Sequence, residues 1–206
     1  TGEEYKFDYI LIDMSPSVSA TNANLLMQSD YFIVPCSPDY YCNMAINSLC
    51  KIIPTWHQTY ETIKSQPVYK TSVYPFPNVT PKFIGTILQR YRPRNGSAAK
   101  SFQMWINKIT TNVNSNLVPT LNENNLILEQ AKFKEVGTPE EPYNLVNIAD
   151  FNSLIAQSQK YGVPIYALTD KQMEQAGKVL NTMKENKESF YKTFNILGDS
   201  VIGLTS

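Results

Sequence analysis

No stretch of this 206-residue chain strings together the roughly 18 apolar residues of a bilayer-spanning helix, and no charged-then-apolar leader is legible at its start. Neither a membrane protein nor a secreted one is expected. Cysteine is scarce: Cys36, Cys42 and Cys50 are odd in number and show no C-x-x-C spacing, which argues against a disulfide framework or a zinc site. Reduced thiols in a cytoplasmic protein are the expectation. Histidine is scarcer still, since His57 stands alone and reads as a surface or helix-packing residue rather than a ligand. Acidic residues are missing altogether between Glu61 and Glu123, where Lys64, Lys70, Lys82, Arg90, Arg92, Arg94, Lys100 and Lys108 accumulate inside a chain of net charge +0. Internal repeats and low-complexity tracts are absent too, so the 206 residues read as one domain.

What is present is led by Phe7 to Ser17, FDYILIDMSPS. Tyr9, Ile10, Leu11 and Ile12 form an apolar run without alternation, which suits a strand covered on both faces in a parallel sheet. Asp13 then falls where that strand would emerge at its carboxyl edge, the edge at which open α/β sheets bind ligands. A carboxylate there can hold a magnesium-bound water, as in the Walker B arrangement of nucleotide hydrolases. The plainer alternative is a turn-forming Asp with Pro16 opening a loop. Residues 20 to 28 suggest a short helix and Tyr31 to Pro35 a second buried strand, which together make a parallel βαβ unit.

The run DYILIDMSPSVSATNANLLMQSDYFIVPCSPDYYCNMAINSL resembles the middle of the ParA family of partition ATPases, relatives of MinD and Soj. Asp13, Pro16, Asn24, Ser29, Asp30 and Pro35 match the family's order and spacing. FIGTILQRYRP, residues 83 to 93, is similar to the family's next strand, and LIAQSQKYGVPIYAL, residues 154 to 168, to its late helix and short final strand. The resemblance implies an α/β fold with a mostly parallel sheet flanked by helices, of the deviant Walker P-loop NTPase type. It further implies ATP and Mg²⁺ as cofactors, Asp13 positioning the metal's water, and Gln89, Arg90 and Tyr91 near the nucleotide base. Its functional implication is plasmid or chromosome partitioning by ATP-dependent homodimers that bind DNA non-specifically and answer to a centromere-binding partner protein.

One departure limits that implication. The family's phosphate loop, GxxxxGK[ST] or a KGG variant, occurs nowhere in the chain. Without its backbone N–H groups and lysine the β and γ phosphates have no cradle, so the chain alone is not expected to hydrolyse ATP. The expectation is the C-terminal portion of a longer, incomplete nucleotide-binding domain. Two other classes stay open: a non-catalytic ParA-like interaction protein, and another assembly ATPase of the MinD superfamily.

The basic block reads either as a solvated face or as a phosphate-facing patch, in which Arg90, Arg92, Arg94 and Lys100 would meet DNA and Tyr91 could stack on a base. Elsewhere the pattern predicts a helix over residues 43 to 63 with Pro54 breaking or kinking it, and an irregular stretch over 67 to 81. A strand is expected over 83 to 89, then a helix over 97 to 113 with Phe102, Trp105, Ile106 and Ile109 in the core. Residues 133 to 148 read as loop, 151 to 161 as a helix capped by Asp150, and 163 to 168 as a strand. Two closing helices follow, 170 to 187 and 188 to 202, the first opened by a Thr169 capping box. The last is read as packing on the sheet rather than binding a membrane, because Glu188 and Asp199 dilute its basic charge. With the phosphate-loop strand missing, strands 7 to 13 and 31 to 35 are expected to pair directly or to drive self-association.

Overall fold

The computed structural model describes residues 2–15, 17–91, 93–94, 97–98, 100–151 and 153–206, with 2, 3, 93, 94, 97 and 98 described in the backbone alone. Pro16 and Arg92 therefore lie outside the described residues, as does the Arg94 side chain. In chain order the elements are α1 (Gly2–Tyr5), α2 (Ala20–Met27), β1 (Tyr31–Cys36), α3 (Tyr40–Lys64), α4 (Pro67–Lys70), β2 (Lys82–Tyr91), β3 (Pro93–Arg94), β4 (Ser97–Ala98) and α5 (Lys100–Asn112). A π-helical stretch, Val113–Leu117, then leads to α6 (Val118–Glu123), α7 (Gln130–Val136), β5 (Asn144–Ala149), α8 (Ser153–Tyr161), a 3-10 turn (Ile165–Ala167), α9 (Asp170–Met173) and α10 (Gly177–Thr205).

The architecture is α/β: a three-stranded parallel sheet, order β1-β2-β5, flanked by helices. β2 is central and covered on both sides, and its Phe83, Ile84 and Leu88 are all but fully buried. Fully burying such a side chain contributes about 1.5–3 kcal/mol. Gly85 is required where it stands: its φ is +144°, the register against β1 shifts beside it, and an added Cβ would lie 3.1 Å from Leu145 Cγ and from the Tyr143 backbone.

Helix α3 begins at its N-cap Asp39, whose carboxylate accepts the Cys42 N–H at 2.8 Å. It buries Ile46, Ile53 and Tyr60 at seven-residue spacing and runs on through Pro54, so the expected break does not end the helix. Ile106 and Ile109 of α5 are buried and Trp105 is half-buried, as the helical spacing predicted. A second, smaller cluster gathers Phe151, Leu154, Ile165, Leu168, Met173 and Met183 between α8, α9 and the first half of α10.

Five expectations are corrected. Residues 7 to 13 form no strand: Tyr9, Ile10, Leu11 and Ile12 are 47%, 61%, 90% and 51% exposed, and direct pairing with β1 does not occur. The Tyr9 hydroxyl reaches Thr205 Oγ1 of α10 at 3.1 Å and Met14 packs against the core, and beyond them Asn22 Nδ2 donates to the Ser15 and Ser17 carbonyls at 2.6 and 2.7 Å. Residues 133 to 148 are not a loop, because α7 and β5 occupy most of them, β5 being drawn in as the second parallel partner of β2. Residues 163 to 168 hold a 3-10 turn instead of a strand, since β5 has already taken the sheet edge. The helix after the basic loop starts at Lys100, with Ser97 in the two-residue β4. Finally, the Thr169 capping box exists but serves the one-turn α9; Glu174 then turns left-handed at φ 54°, and a single 29-residue α10 replaces the last two helices. Gly203 in α10 is a contact glycine, for a Cβ there would meet Val136 Cγ1 of α7 at 2.5 Å.

Candidate functional site

The carboxyl edge of the sheet is where the sequence placed its chemistry. In register, Cys36 at the end of β1 stands opposite Leu88, so Gln89, Arg90 and Tyr91 continue past β1 by three residues, about 10 Å of extended chain. Along that overhang β2 pairs only with β5, Gln89 opposite Ile148 and Tyr91 opposite Ala149. Arg90 is the extra residue between those pairs, a bulge with φ 65°. A non-glycine residue in that left-handed region is uncommon, and bulges re-aim a side chain beside binding sites. Arg90 is exposed, Gln89 half-buried, and Tyr91 packs against the main core, where burial pushes its phenol pKa up. The Asp150 N–H closes the end by donating to the Tyr91 carbonyl at 2.8 Å.

Beside this overhang lies the first turn of α3. It is tied to α5 through amides: Asn112 Nδ2 donates to the Asn43 carbonyl and Oδ1 at 2.9 and 3.1 Å, while Asn112 Oδ1 accepts from Asn116 at 2.7 Å. Tyr40 packs edge-on against both Tyr41 and Trp105, at centroid distances of 5.8 and 6.1 Å. The Lys108 ammonium sits 4.7 Å over the Trp105 ring. Tyr41 is 80% exposed. Tyr40 and Tyr41 are thus further aromatics near α5, while Tyr91 is half-buried against the core. Composition hinted at this only through DYYC, where two adjacent tyrosines follow a helix-capping Asp.

Of the residues singled out in the sequence, Gln89, Arg90 and Tyr91 are brought together at the end of β2, and Lys100 opens α5 exposed to solvent. Asp13 is not at a strand end; it stands exposed in the unpaired stretch. Among the described residues, no group of three or more His, Cys, Asp or Glu side chains is placed to hold a metal ion. With no phosphate-loop motif in the sequence, the donor set for Mg²⁺ and a nucleoside triphosphate is not assembled from this chain's described residues. Surface clefts lined by Lys184, Glu188 and Lys192 on α10, and by His57, Gln58 and Glu61 towards the far end of α3, lie on helix flanks away from the carboxyl edge.

No helix among the described residues is long and apolar enough to cross a membrane. Compared with known proteins, 35 residues of the chain are 49% identical to Uncharacterized protein MJECL24 of Methanocaldococcus jannaschii, a match covering 17% of this chain and 14% of that protein. No solved structure matches. Residues 3–65, which run from the unpaired apolar stretch through β1 and the whole of α3, match the model of the family described as "AAA domain". Over that first third the chain is similar to a ParA/MinD-like P-loop NTPase domain.

Proposed function

We propose that this chain is the C-terminal portion of a ParA-type ATPase that serves plasmid or chromosome partitioning through ATP-dependent dimerisation and non-specific DNA binding. The observation that carries the reading is the family match over residues 3–65, which spans Asp13 and every residue of the ordered set Asp13, Pro16, Asn24, Ser29, Asp30 and Pro35. Two features support it. The sheet is parallel with Gln89 to Tyr91 overhanging its carboxyl edge, and β1 is an edge strand whose outer side would accept the strand that ends in a phosphate loop. The basic residues Arg90 and Lys100, with Arg92 and Arg94 in the same sequence block, would supply the DNA contacts, and Asp13 would regain a strand end once that sheet is complete.

A non-catalytic interaction protein is the second reading, favoured by the exposed, unpaired setting of Asp13. Magnesium-dependent ATP turnover by the full-length protein that carries this chain separates the two. The ATPase reading expects turnover that falls about 10- to 100-fold in Asp13→Ala, as for a residue that orients a metal's ligand, and none from the 206-residue chain alone. Full-length protein without turnover, or turnover indifferent to Asp13→Ala, overturns it. For the DNA arm, duplex binding should be sequence-independent, and replacing Arg90 and Lys100 together should flatten the dependence of log affinity on log salt by about two units.

A further inference from the structure

From Tyr40 to Asn122 the chain carries one carboxylate, Glu61, near the far end of α3. The first turn of α3 and the whole of α5 are therefore free of acidic side chains, save the N-cap Asp39, which the Cys42 N–H engages at 2.8 Å. The only charges on α5 are Lys100 and Lys108. Three aromatic rings stand in this setting. Tyr40 is 54% exposed and Tyr41 80%, whereas Ile46, Ile53 and Tyr60 of the same helix are buried, so the fold leaves the first two rings in solvent. Trp105, half-buried on α5, meets Tyr40 edge-on and carries the Lys108 ammonium 4.7 Å from its ring centre. Met44, one turn along α3, and Met104, beside Trp105 in sequence, are exposed as well. The backbone beneath the rings is held in place, because Asn112 of α5 donates to both the carbonyl and Oδ1 of Asn43.

We propose that the surface formed by Tyr40, Tyr41, Trp105 and Lys108 is a stacking site for single-stranded nucleic acid. Charge complementarity commits it to a polyanion, since Asp39 is the one carboxylate near it and the charges of α5 are both positive. Aromatic rings left in solvent commit it to unpaired bases. Bases in a duplex lie within their own stack and turn only their edges to a protein, whereas an unpaired base offers its face to any ring. Tyr41, the most exposed of the three, takes one base on its ring, and Tyr40, turned 73° from it, presents a second face. Trp105 holds Tyr40 edge-on, and the Lys108 ammonium over the indole supplies a phosphate contact. The Asn112–Asn43 tie keeps this arrangement formed before the ligand arrives, which lowers the ordering cost of binding. An acidic peptide is the competing polyanion, and Met44 and Met104 would suit it. Such a peptide anchors its side chains in packed pockets, however, and Tyr40 and Tyr41 stand out from the surface instead of lining one. Stacking reads the face of a base and not its identity, so the site is indifferent to sequence. The inference stands whether or not the protein hydrolyses ATP, and it is separate from the duplex contacts assigned to Arg90 and Lys100.

The test titrates the chain, without nucleotide and at low salt, into a fluorescein-labelled oligothymidylate of about 15 nucleotides and follows anisotropy. The oligonucleotide should bind more tightly than a duplex of the same length, and polyglutamate at matched charge should not displace it. Tyr41→Ala should weaken binding about 5- to 150-fold, the loss expected for one stacked base, while Tyr41→Phe binds as the wild type does. Because Tyr41 is 80% exposed, its variants should keep the wild-type denaturation midpoint, which separates a lost contact from a lost fold. Lys108→Ala should flatten the dependence of log affinity on log salt by about 0.7 units, the share of one phosphate on a single strand. With Arg90 and Lys100 both replaced by alanine, Tyr41→Ala should still weaken single-strand binding by the same factor, so that failure of the duplex contacts and failure of this site are told apart. No binding of the oligonucleotide at low salt, equal or tighter binding of the duplex, displacement by polyglutamate, or an affinity indifferent to Tyr41→Ala would each overturn the proposal.

Discussion

Residues 8 to 13 read DYILID and residues 30 to 35 read DYFIVP. The two hexapeptides begin with the same dipeptide and continue with the same kind of apolar residues, and the structure treats them oppositely. In the second, Phe32 is 7% exposed and packs tilted against Phe83 at a centroid distance of 5.4 Å, and the strand pairs in parallel with β2 from Tyr31 to Cys36 with one register shift after Phe32. In the first, Leu11 is 90% exposed and no residue enters a sheet. Local preference cannot separate them, because β-propensity describes fitness for a pleated, covered surface rather than an intrinsic backbone choice. The difference is the neighbour. Lys82–Tyr91 lies beside the second hexapeptide and takes its backbone donors and acceptors, whereas the first has no strand beside it among the described residues and leaves its backbone to water.

The largest expected break of this contrast is in the paired hexapeptide. Phe32→Ala should cost about 3–5 kcal/mol of unfolding free energy, since it removes a buried ring and leaves a cavity against Phe83. A chemical denaturation series reads it directly. A loss below about 1 kcal/mol would mean that β1 is no more embedded than residues 9 to 12, and the comparison would collapse.

A smaller effect tests how β2 holds the sheet together. Gly85→Ala places a Cβ 3.1 Å from both Leu145 and the Tyr143 backbone, at a φ of +144° that side chains rarely adopt. The backbone contact cannot swing aside as a side chain would. We expect a loss of about 1–3 kcal/mol, with the unfolding transition staying cooperative. Wild-type stability in Gly85→Ala would show that β2 and β5 are spaced more loosely than the register implies.

These two positions also show what the sequence could and could not disclose. β1, β2, α2, α3 and α5 were legible because each carries its own periodicity and its own stop, such as Ser19 and Asp39 as N-caps. β5 was not, for NLVNIA sits between Pro142 and Asp150 in a stretch rich in turn residues, and only the exposed flank of β2 makes it a strand. The same blindness acted in reverse on residues 7 to 13, where a sound local pattern lacked its partner. At the site, Gln89 to Tyr91 were singled out by the resemblance to the ParA family and Asp13 by the rule that ligands gather at carboxyl edges; the structure brings the first three together at the end of β2 and leaves Asp13 off any strand. The Arg90 bulge was not legible, because it arises from how β2 meets β5 and no spacing marks it in one dimension.

The smallest expected effect lies in the unpaired hexapeptide. Leu11→Ser should change the unfolding free energy of the chain by less than about 0.5 kcal/mol, since the side chain is 90% exposed and has little apolar contact to lose. The substitution should register elsewhere. Tyr9, Ile10, Leu11 and Ile12 form a contiguous exposed apolar run, and β1 leaves one sheet edge open, the kinds of surface that draw a second molecule or a missing strand. Sedimentation over rising concentration should therefore show association of the wild-type chain that weakens in Leu11→Ser, while the denaturation midpoint at low concentration stays put. A stability loss near that of Phe32→Ala in the dilute monomer would mean that this run is buried after all, and that the two hexapeptides differ in neighbour but not in fate.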